Sequence, residues 1–238
     1  MKRYVSLEEI SDGKLYEKND MVKAGCNGCR GCSACCRGMG SSVILDPFDF
    51  FRLTAELPFT FETLMEDKIE LNVVDGIVLP NLKMSSGDEA CGFLDENGRC
   101  SIHPQRPGIC RLFPLGRYYG LTPNEEVGGK TSKAYTRFAR GFRYFLQAHE
   151  CPAPNKTKVK VSRWVDTPDL AQYEQFVKDW HYFLEDVQTQ LSEASGEDAK
   201  TVSLLLLKLF YVLPYDKNES FYPQFAKRLA RARAMTGM

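Results

Sequence analysis

Five cysteines lie within one short run, GCNGCRGCSACCRG, at residues 25–38. Cys26 begins the run, and the pattern C-x2-C-x2-C-C is then formed by Cys29, Cys32, Cys35 and Cys36. Spacing of three lets a turning backbone present successive thiols to a compact inorganic centre, as in the C-x2-C-x2-C run of ferredoxins. Intervening glycines allow the backbone angles that such a loop needs. The run therefore predicts a bound metal ion or cluster, with Cys26 as an idle thiol.

Further cysteines complete a predicted set of eight ligands. Three lie in CGFLDENGRCSIHPQRPGICRLFPLGR, namely Cys91, Cys100 and Cys110, and the last is Cys151 in HECPAP. Cys151 precedes a proline, as does the last cysteine of bacterial ferredoxin runs. Two groups of four also leave room for two centres rather than one. The roles of the adjacent Cys35 and Cys36 stay open, because neighbouring side chains usually diverge.

Local signals place the second cysteine group on regular structure. Asn97-Gly98 is a strong hairpin signal, so two short strands are expected around it, with Cys91 and Cys100 facing each other near the base. The following HPQRPGICRLF should open a helical turn that carries Cys110 close by, because proline fixes the entry angle of a helix. Two thiols on a hairpin and a third on the next turn are typical of a metal knuckle.

The charge pattern around the cysteines is one-sided. The 238 residues carry 31 basic and 31 acidic side chains, yet no acidic residue occurs between 21 and 45 or between 97 and 124. Cations near thiols favour the thiolate form that binds metal, so Arg106 and Arg111 are candidate cofactor-binding residues. The segment YTRFARGFRYF could contact phosphates. The neutral overall balance disfavours nucleic acid as a partner.

Histidines are few, and two of the three lie near cysteines. His103 and His149 could each replace a thiol as ligand, although a polar neighbour is the more common role of such a residue. His181, between an aromatic pair, is expected to be structural.

Nine cysteines in a chain large enough to bury a core point to metal binding rather than to a disulfide framework. The first residues lack the apolar stretch of a secretory signal. The most apolar run, at 203–215, contains Lys208 and is too short to cross a bilayer. We therefore expect a cytoplasmic protein with no membrane partner.

The remaining patterns predict an α+β fold: a small, irregular cysteine-rich core with hairpins, followed by a C-terminal helical segment. The expected domains are a metal-binding α+β domain at 1–165 and a helical segment at 166–238 packed on it. In the first, Asp46 and Pro47 signal a helix start, Asp75-Gly76 signals a hairpin, and KVKVSRWV resembles a strand.

In the C-terminal segment, a helix is predicted to start at Thr167-Pro168. Its aromatic and aliphatic stripe follows helical spacing and should pack into the core rather than form a cofactor box. Two further helices are predicted near 196–213 and 219–235.

The cysteine pattern resembles the YkgJ-like cysteine-cluster family, whose signature is CxxCxxCC and whose members are described as zinc- or iron-chelating. The similarity covers about half of the chain, from Cys26 to Cys151, and includes Arg106-Pro107 before Cys110. Flagellin lysine-N-methylases carry a distantly similar cysteine domain. That resemblance implies an iron–sulfur cluster that assists methyl transfer to protein lysines, although no separate methyl-donor motif is evident here.

These patterns favour an iron–sulfur protein, with a 4Fe-4S cluster, that acts in electron transfer or in group transfer such as methylation of a protein or peptide. A redox partner or a peptide substrate would then be its partner, and whether it is an enzyme stays open. The main alternative is a zinc-binding structural or interaction module without catalysis, because thiolates suit both metals. A third is redox sensing by the vicinal thiols Cys35 and Cys36.

Overall fold

A computed structural model describes residues 6–26, 32–87, 89–119, 141–192 and 196–237. The fold is α+β, as the sequence predicted. The chain divides into two compact units: the first unit contains residues 35–108 and 183–238, and the second unit contains residues 2–34 and 109–182. The boundary predicted at 165/166 from sequence stays a prediction.

The first unit contains two short helices and a hairpin in its N-terminal part. Helices α2 and α3 span Pro47–Ala55 and Phe61–Asp67, and strands β3 and β4 span Ile69–Val74 and Ile77–Leu82. The two strands pair antiparallel through the predicted turn at Asp75-Gly76, where both residues have positive φ. That backbone is the one a two-residue hairpin turn requires.

The predicted start of α2 is confirmed. The Asp46 carboxylate accepts the Asp49 amide at 2.8 Å, the Asp49 carboxylate accepts the Asp46 amide at 3.1 Å, and Pro47 occupies the first turn. Reciprocal capping satisfies two amides that a helix start would otherwise leave unpaired. The apolar run before Asp46 is not a full strand: Ile44 forms a single bridge to Asn81.

The C-terminal part of the first unit is helical, as predicted. Helix α7 spans Gly196–Leu207 and continues into a π-helical turn, Lys208–Val212, and α8 spans Phe221–Thr236. Leu206, Leu209 and Phe210 are buried, so one side of the apolar run at 203–215 belongs to the core. None of the helices in the described ranges combines the length and apolarity needed to span a membrane.

The second unit is built on two small sheets. Strands β1 (Ser11–Tyr16), β6 (Phe142–Gln147) and β5 (Leu115–Tyr119) form an antiparallel sheet in that order. Strands β2 (Met21–Gly25) and β7 (Thr157–Lys160) form the other. Helix α1 covers Leu7–Ile10.

Two predictions for the second unit are revised by the structure. KVKVSRWV is a strand only up to Lys160, and Val161–Val165 is helix α5, with Val161 and Val165 buried. Helix α6 spans Leu170–Leu191, a few residues later than predicted. Its aromatic stripe is buried as expected, with Tyr173 and Phe183 at 1% and 0% exposure. Of the segment YTRFARGFRYF, at 135–145, residues 135–140 lie outside the described part of the chain.

Candidate metal centre

Backbone pairing places Cys36 directly opposite Cys91 in the first unit. Arg37 and Ala90 form an antiparallel bridge. The Cys91 amide donates to the Cys36 carbonyl at 2.8 Å, and the Gly38 amide donates to the Glu89 carbonyl at 3.0 Å. Residues opposite each other in an antiparallel pair have Cα atoms about 5.5 Å apart or closer. Two cysteines separated by more than fifty positions in the sequence are thus held side by side.

Cys35 shares a three-residue 3-10 helix, Ala34–Cys36, with its neighbour. The Cys36 side chain is hydrogen-bonded to the Cys35 sulfur, and this bond lowers the pKa of Cys35 to about 7 against the opposing effect of burial. The Cys35 backbone amide and the charge of Arg106 act in the same direction. A thiol of this kind is substantially ionised at neutral pH, and the thiolate is the form that binds metal.

Cys100 lies at the end of the predicted turn, but the two strands around that turn are reduced to one bridge, between Leu94 and Cys100. The Asp95 carboxylate holds the turn by accepting the amides of Asn97 and Arg99 at 2.9 and 2.7 Å. Cys91 forms its own bridge to Met84. The expectation that Cys91 and Cys100 face each other across a hairpin is therefore wrong, because the Asp95 turn sets a register that pairs Cys100 with Leu94.

The thiols of Cys91 and Cys100 nonetheless lie within electrostatic range of each other and of Cys35. Burial raises the pKa of both Cys91 and Cys100, and the neighbouring cysteines add to that rise. We call Cys35, Cys36, Cys91 and Cys100 the first cysteine group. Each member is half-buried in the described structure.

Among the described residues, Arg106 and Lys68 act on thiols of the first cysteine group. Arg106 acts on both Cys35 and Cys100, and Lys68 acts on Cys91, in each case favouring the thiolate. Lys68 is held in place by its bond to the Gly92 carbonyl at 2.9 Å. Positive charge near the thiols offsets the repulsion between thiolates that share a centre.

Arg106 is itself positioned by His103. One guanidinium nitrogen, Nη1, lies 3.0 Å from the His103 carbonyl oxygen and 3.0 Å from its ring Nδ1. His103 begins a short 3-10 turn, His103–Gln105, that follows Cys100. The structure therefore places His103 against Arg106, and its role as a ligand in place of cysteine stays a prediction.

Cys110 lies on α4, Gly108–Leu112, the helical turn predicted from its prolines. The buried Asp49 carboxylate accepts the Gly108 amide at 2.6 Å. At the other end, the Trp164 indole donates to the Leu112 carbonyl at 3.0 Å. Both ends of this five-residue helix are thus held by side chains.

Arg111, the other cofactor-binding candidate, is buried, and its Nη1 donates to the Asp166 carbonyl at 3.4 Å. Cofactor binding by this residue stays a prediction. Cys151 lies in the loop before β7, where the Lys156 amine donates to the Cys151 carbonyl at 2.6 Å.

Of the remaining cysteines, Cys32 is exposed and Cys26, directly after β2, is half-buried. Cys29 lies outside the described residues. Together with Cys32, Cys110 and Cys151 it makes up the second cysteine group. His149, the other histidine near a cysteine, adopts positive φ.

Two residues near the candidate ligands were not identified from sequence. Asp49 lies in the first turn of α2, and nothing in the sequence showed that its carboxylate also accepts the Gly108 amide. Lys68 lies more than twenty positions from Cys91, and only the fold brings the two together.

The donor set suits a soft metal centre, because the gathered side chains are thiols and the facing groups are cations. Among the described residues, no three cysteine, histidine, aspartate or glutamate side chains already have the arrangement of a metal-ion site. Metal binding would thus have to draw the thiols of the first group further together, as is common where binding and folding are coupled.

Thiols drawn from separate segments, beside cations, are the features of a candidate metal-binding cysteine cluster. Residues 28–134 match the model of the CxxCxxCC family, described as "Putative zinc- or iron-chelating domain". This part of the chain is thus similar to the cysteine-cluster family that the sequence pattern suggested. Searches of curated proteins and of solved structures found no match.

Proposed function

We propose that this protein binds an iron–sulfur cofactor, with a 4Fe-4S cluster favoured, and that the ligands come from its eight candidate cysteines. It would act in the cytoplasm, in electron transfer or in group transfer to a protein or peptide. Such a cluster supplies reversible one-electron chemistry, or an iron that binds a reacting group. The supporting observation is the convergence of the first cysteine group, drawn from residues 35–36, 91 and 100, beside Arg106.

The chain's own residues contribute three things to this function. The Cys35 thiol, with a pKa of about 7, provides a ligand that is ionised before metal arrives. The Cys36–Cys91 backbone pairing fixes the spacing of two further ligands. Arg106, oriented by His103, supplies positive charge that stabilises an anionic thiolate centre.

Iron is favoured over zinc by the number and spacing of the thiols, since a three-residue repeat and a Cys-Pro pair are typical of cluster proteins. A closed zinc site would instead hold the loops together without redox chemistry. The two metals use the same ligands, so metal analysis is the measurement that distinguishes them.

The test is anaerobic purification followed by absorption spectroscopy and by iron, sulfide and zinc analysis. We expect a brown protein that contains iron and acid-labile sulfide, and whose visible absorption bleaches on reduction with dithionite. A colourless protein with stoichiometric zinc would refute the iron proposal. Addition of S-adenosylmethionine then tests group transfer: an exposed iron should change its spectrum, and a silent spectrum counts against methyl transfer.

A further inference from the structure

The first cysteine group lies entirely within one structural unit. Its four members belong to the first unit, whereas Cys32, Cys110 and Cys151 belong to the second. We propose that Cys35, Cys36, Cys91 and Cys100 form a complete four-thiolate centre of their own, which takes no ligand from Cys32, Cys110 or Cys151. This inference depends on the proposed function only in requiring that the thiols bind metal, and it applies to iron and to zinc.

Sequence order alone groups the cysteines differently. It separates the C-x2-C-x2-C-C run from the later C-x8-C-x9-C spacing. The backbone pairing instead divides each of these two runs. The Cys36 carbonyl and the Cys91 amide are hydrogen-bonded at 2.8 Å, on either side of the Arg37–Ala90 bridge, so one ligand from each run is held in a fixed pair.

Cys100 joins this pair through the short chain segment that connects it to Cys91. The Leu94 amide donates to the Cys91 carbonyl at 2.8 Å, and Leu94 then bridges to Cys100. The turn thus folds the chain back and brings Cys100 towards Cys91. Cys35 completes the group through its side-chain hydrogen bond with Cys36.

Charge balance also supports a complete centre in the first unit. A divalent ion bound by four thiolates carries two excess negative charges. Lys68 and Arg106 belong to the same unit and act on Cys91, Cys35 and Cys100. Lys68 also forms an ion pair with Asp67 at 2.9 Å, which offsets part of its charge. The two cations therefore compensate part of the negative charge that four thiolate ligands would bring.

The test compares paired cysteine variants in the full-length chain. Iron and sulfide are counted after anaerobic reconstitution with ferrous iron and sulfide, and zinc is counted after reconstitution with zinc alone. The variants are Cys91→Ser with Cys100→Ser, and Cys110→Ser with Cys151→Ser. Cys26→Ser is the matched control, because this cysteine is outside both groups. Circular dichroism confirms that each variant is folded.

We expect Cys91→Ser with Cys100→Ser to lose the metal and the spectrum of this centre, and Cys110→Ser with Cys151→Ser, like the control, to keep them. Full retention of metal by Cys91→Ser with Cys100→Ser overturns the inference. If Cys110→Ser with Cys151→Ser loses all of the metal while folded, the centre needs ligands from outside the first group, and the inference is overturned although the proposed function survives. If the chain binds zinc and no iron, and only Cys91→Ser with Cys100→Ser loses that zinc, the proposed function fails and the inference holds.

A second measurement uses the unmodified chain, in case a double variant does not fold. The metal-loaded protein is treated stepwise with a chelator, and the cysteines that become reactive to iodoacetamide at each step are identified by mass spectrometry. A centre formed by the first group alone predicts that its four cysteines become reactive together, in a step different from that of Cys110 and Cys151. Simultaneous exposure of all six cysteines at every chelator concentration would contradict the inference.

Discussion

The ionisation of Cys35 in the metal-free chain is the most direct test of how the first cysteine group is assembled. The hydrogen bond from Cys36 is the largest effect that lowers the pKa of Cys35, and the charge of Arg106 is a smaller one. We therefore predict that Cys36→Ala raises this pKa from about 7 towards 9.0, the value of an ordinary thiol, and that Arg106→Gln raises it by less.

The size of the effect follows from the thiolate fraction and the intrinsic nucleophilicity. At pH 7 a thiol of pKa about 7 is roughly half ionised, whereas one of pKa 9.0 is about 1% ionised. A more basic thiolate is also more nucleophilic. With a Brønsted coefficient of about 0.4–0.5, a rise of two pKa units increases the rate constant of the thiolate roughly 6- to 10-fold. If Cys36→Ala restores the ordinary pKa completely, alkylation of Cys35 at pH 7 falls by about 5- to 8-fold.

The assay is the rate of iodoacetamide alkylation at each cysteine, followed by mass spectrometry on the reduced, metal-free chain between pH 5.5 and 10. Cys35 should reach its half-maximal rate near pH 7, and Cys91 and Cys100 should require a higher pH than an ordinary thiol, because burial raises the pKa of both. Arg99→Gln is the matched control for Arg106→Gln, since it removes an exposed arginine of the same segment.

Two results would refute this reasoning. One is a Cys35 profile that stays at the same pH in Cys36→Ala, which would mean that the thiol pair does not interact. The other is a shift in Arg99→Gln equal to that in Arg106→Gln, which would mean that general charge, rather than the position of Arg106, controls the thiol.

Three further predictions concern stability, measured by urea denaturation. Burial lowers the pKa of His181 from 6.5 to about 4, and the charge of Arg117 contributes. Protonation therefore favours the unfolded chain, and the free energy of unfolding decreases as the pH falls below 6.5. His181→Phe should remove about 2 kcal/mol of that decrease between pH 7 and 5. Arg228 donates to three backbone carbonyls at 2.7–2.8 Å. Arg228→Met should therefore lower the free energy of unfolding by about 2–4 kcal/mol. A comparable loss for Lys227→Met, which changes an exposed neighbour, would contradict this role of Arg228. Asp49→Ala should lower the free energy of unfolding by about 2–4 kcal/mol. Asp49→Asn should lower it by less, because the side-chain amide oxygen still accepts the Gly108 amide. Equal losses in the two variants would exclude the acceptor role of Asp49.

Sequence reasoning predicted the elements whose signals are local. The α2 start at Asp46-Pro47 and the Asp75-Gly76 hairpin each depend on a few adjacent residues that satisfy backbone groups or supply positive φ. The aromatic stripe of α6 was also identified correctly, since helical spacing alone shows which face packs inwards. These features need no knowledge of distant contacts.

The errors occurred where a distant contact decides the structure. KVKVSRWV has the alternation of a strand throughout, yet pairing with β2 extends only to Lys160, and the following residues form a helix whose apolar side chains are buried. The Asn97-Gly98 signal was read correctly as a turn. It did not reveal that the Asp95 carboxylate would set the register and pair Cys100 with Leu94.

The candidate site shows the same division. Thiol spacing supplied the candidate ligands and the nearby arginines, but pairing residues 36–38 with 89–91 is a long-range event that spacing does not encode. For the same reason Lys68 was missed and Arg106 was found: Arg106 lies six positions after Cys100, whereas Lys68 reaches Cys91 only through the fold.

The opposite pKa shifts within the first cysteine group suggest an order for metal capture. Cys35 is the member whose thiol is lowered to about 7, so an approaching cation meets this thiolate first. Once the cation is held there, its charge lowers the pKa of the neighbouring thiols and releases their protons. Cys91 and Cys100, which burial keeps protonated in the metal-free chain, then become ligands. Loading should therefore release more protons per metal at pH 7 than Cys35 alone could supply. Isothermal titration calorimetry with zinc in buffers of different ionisation enthalpy measures that number, and release of fewer than one proton would contradict this order.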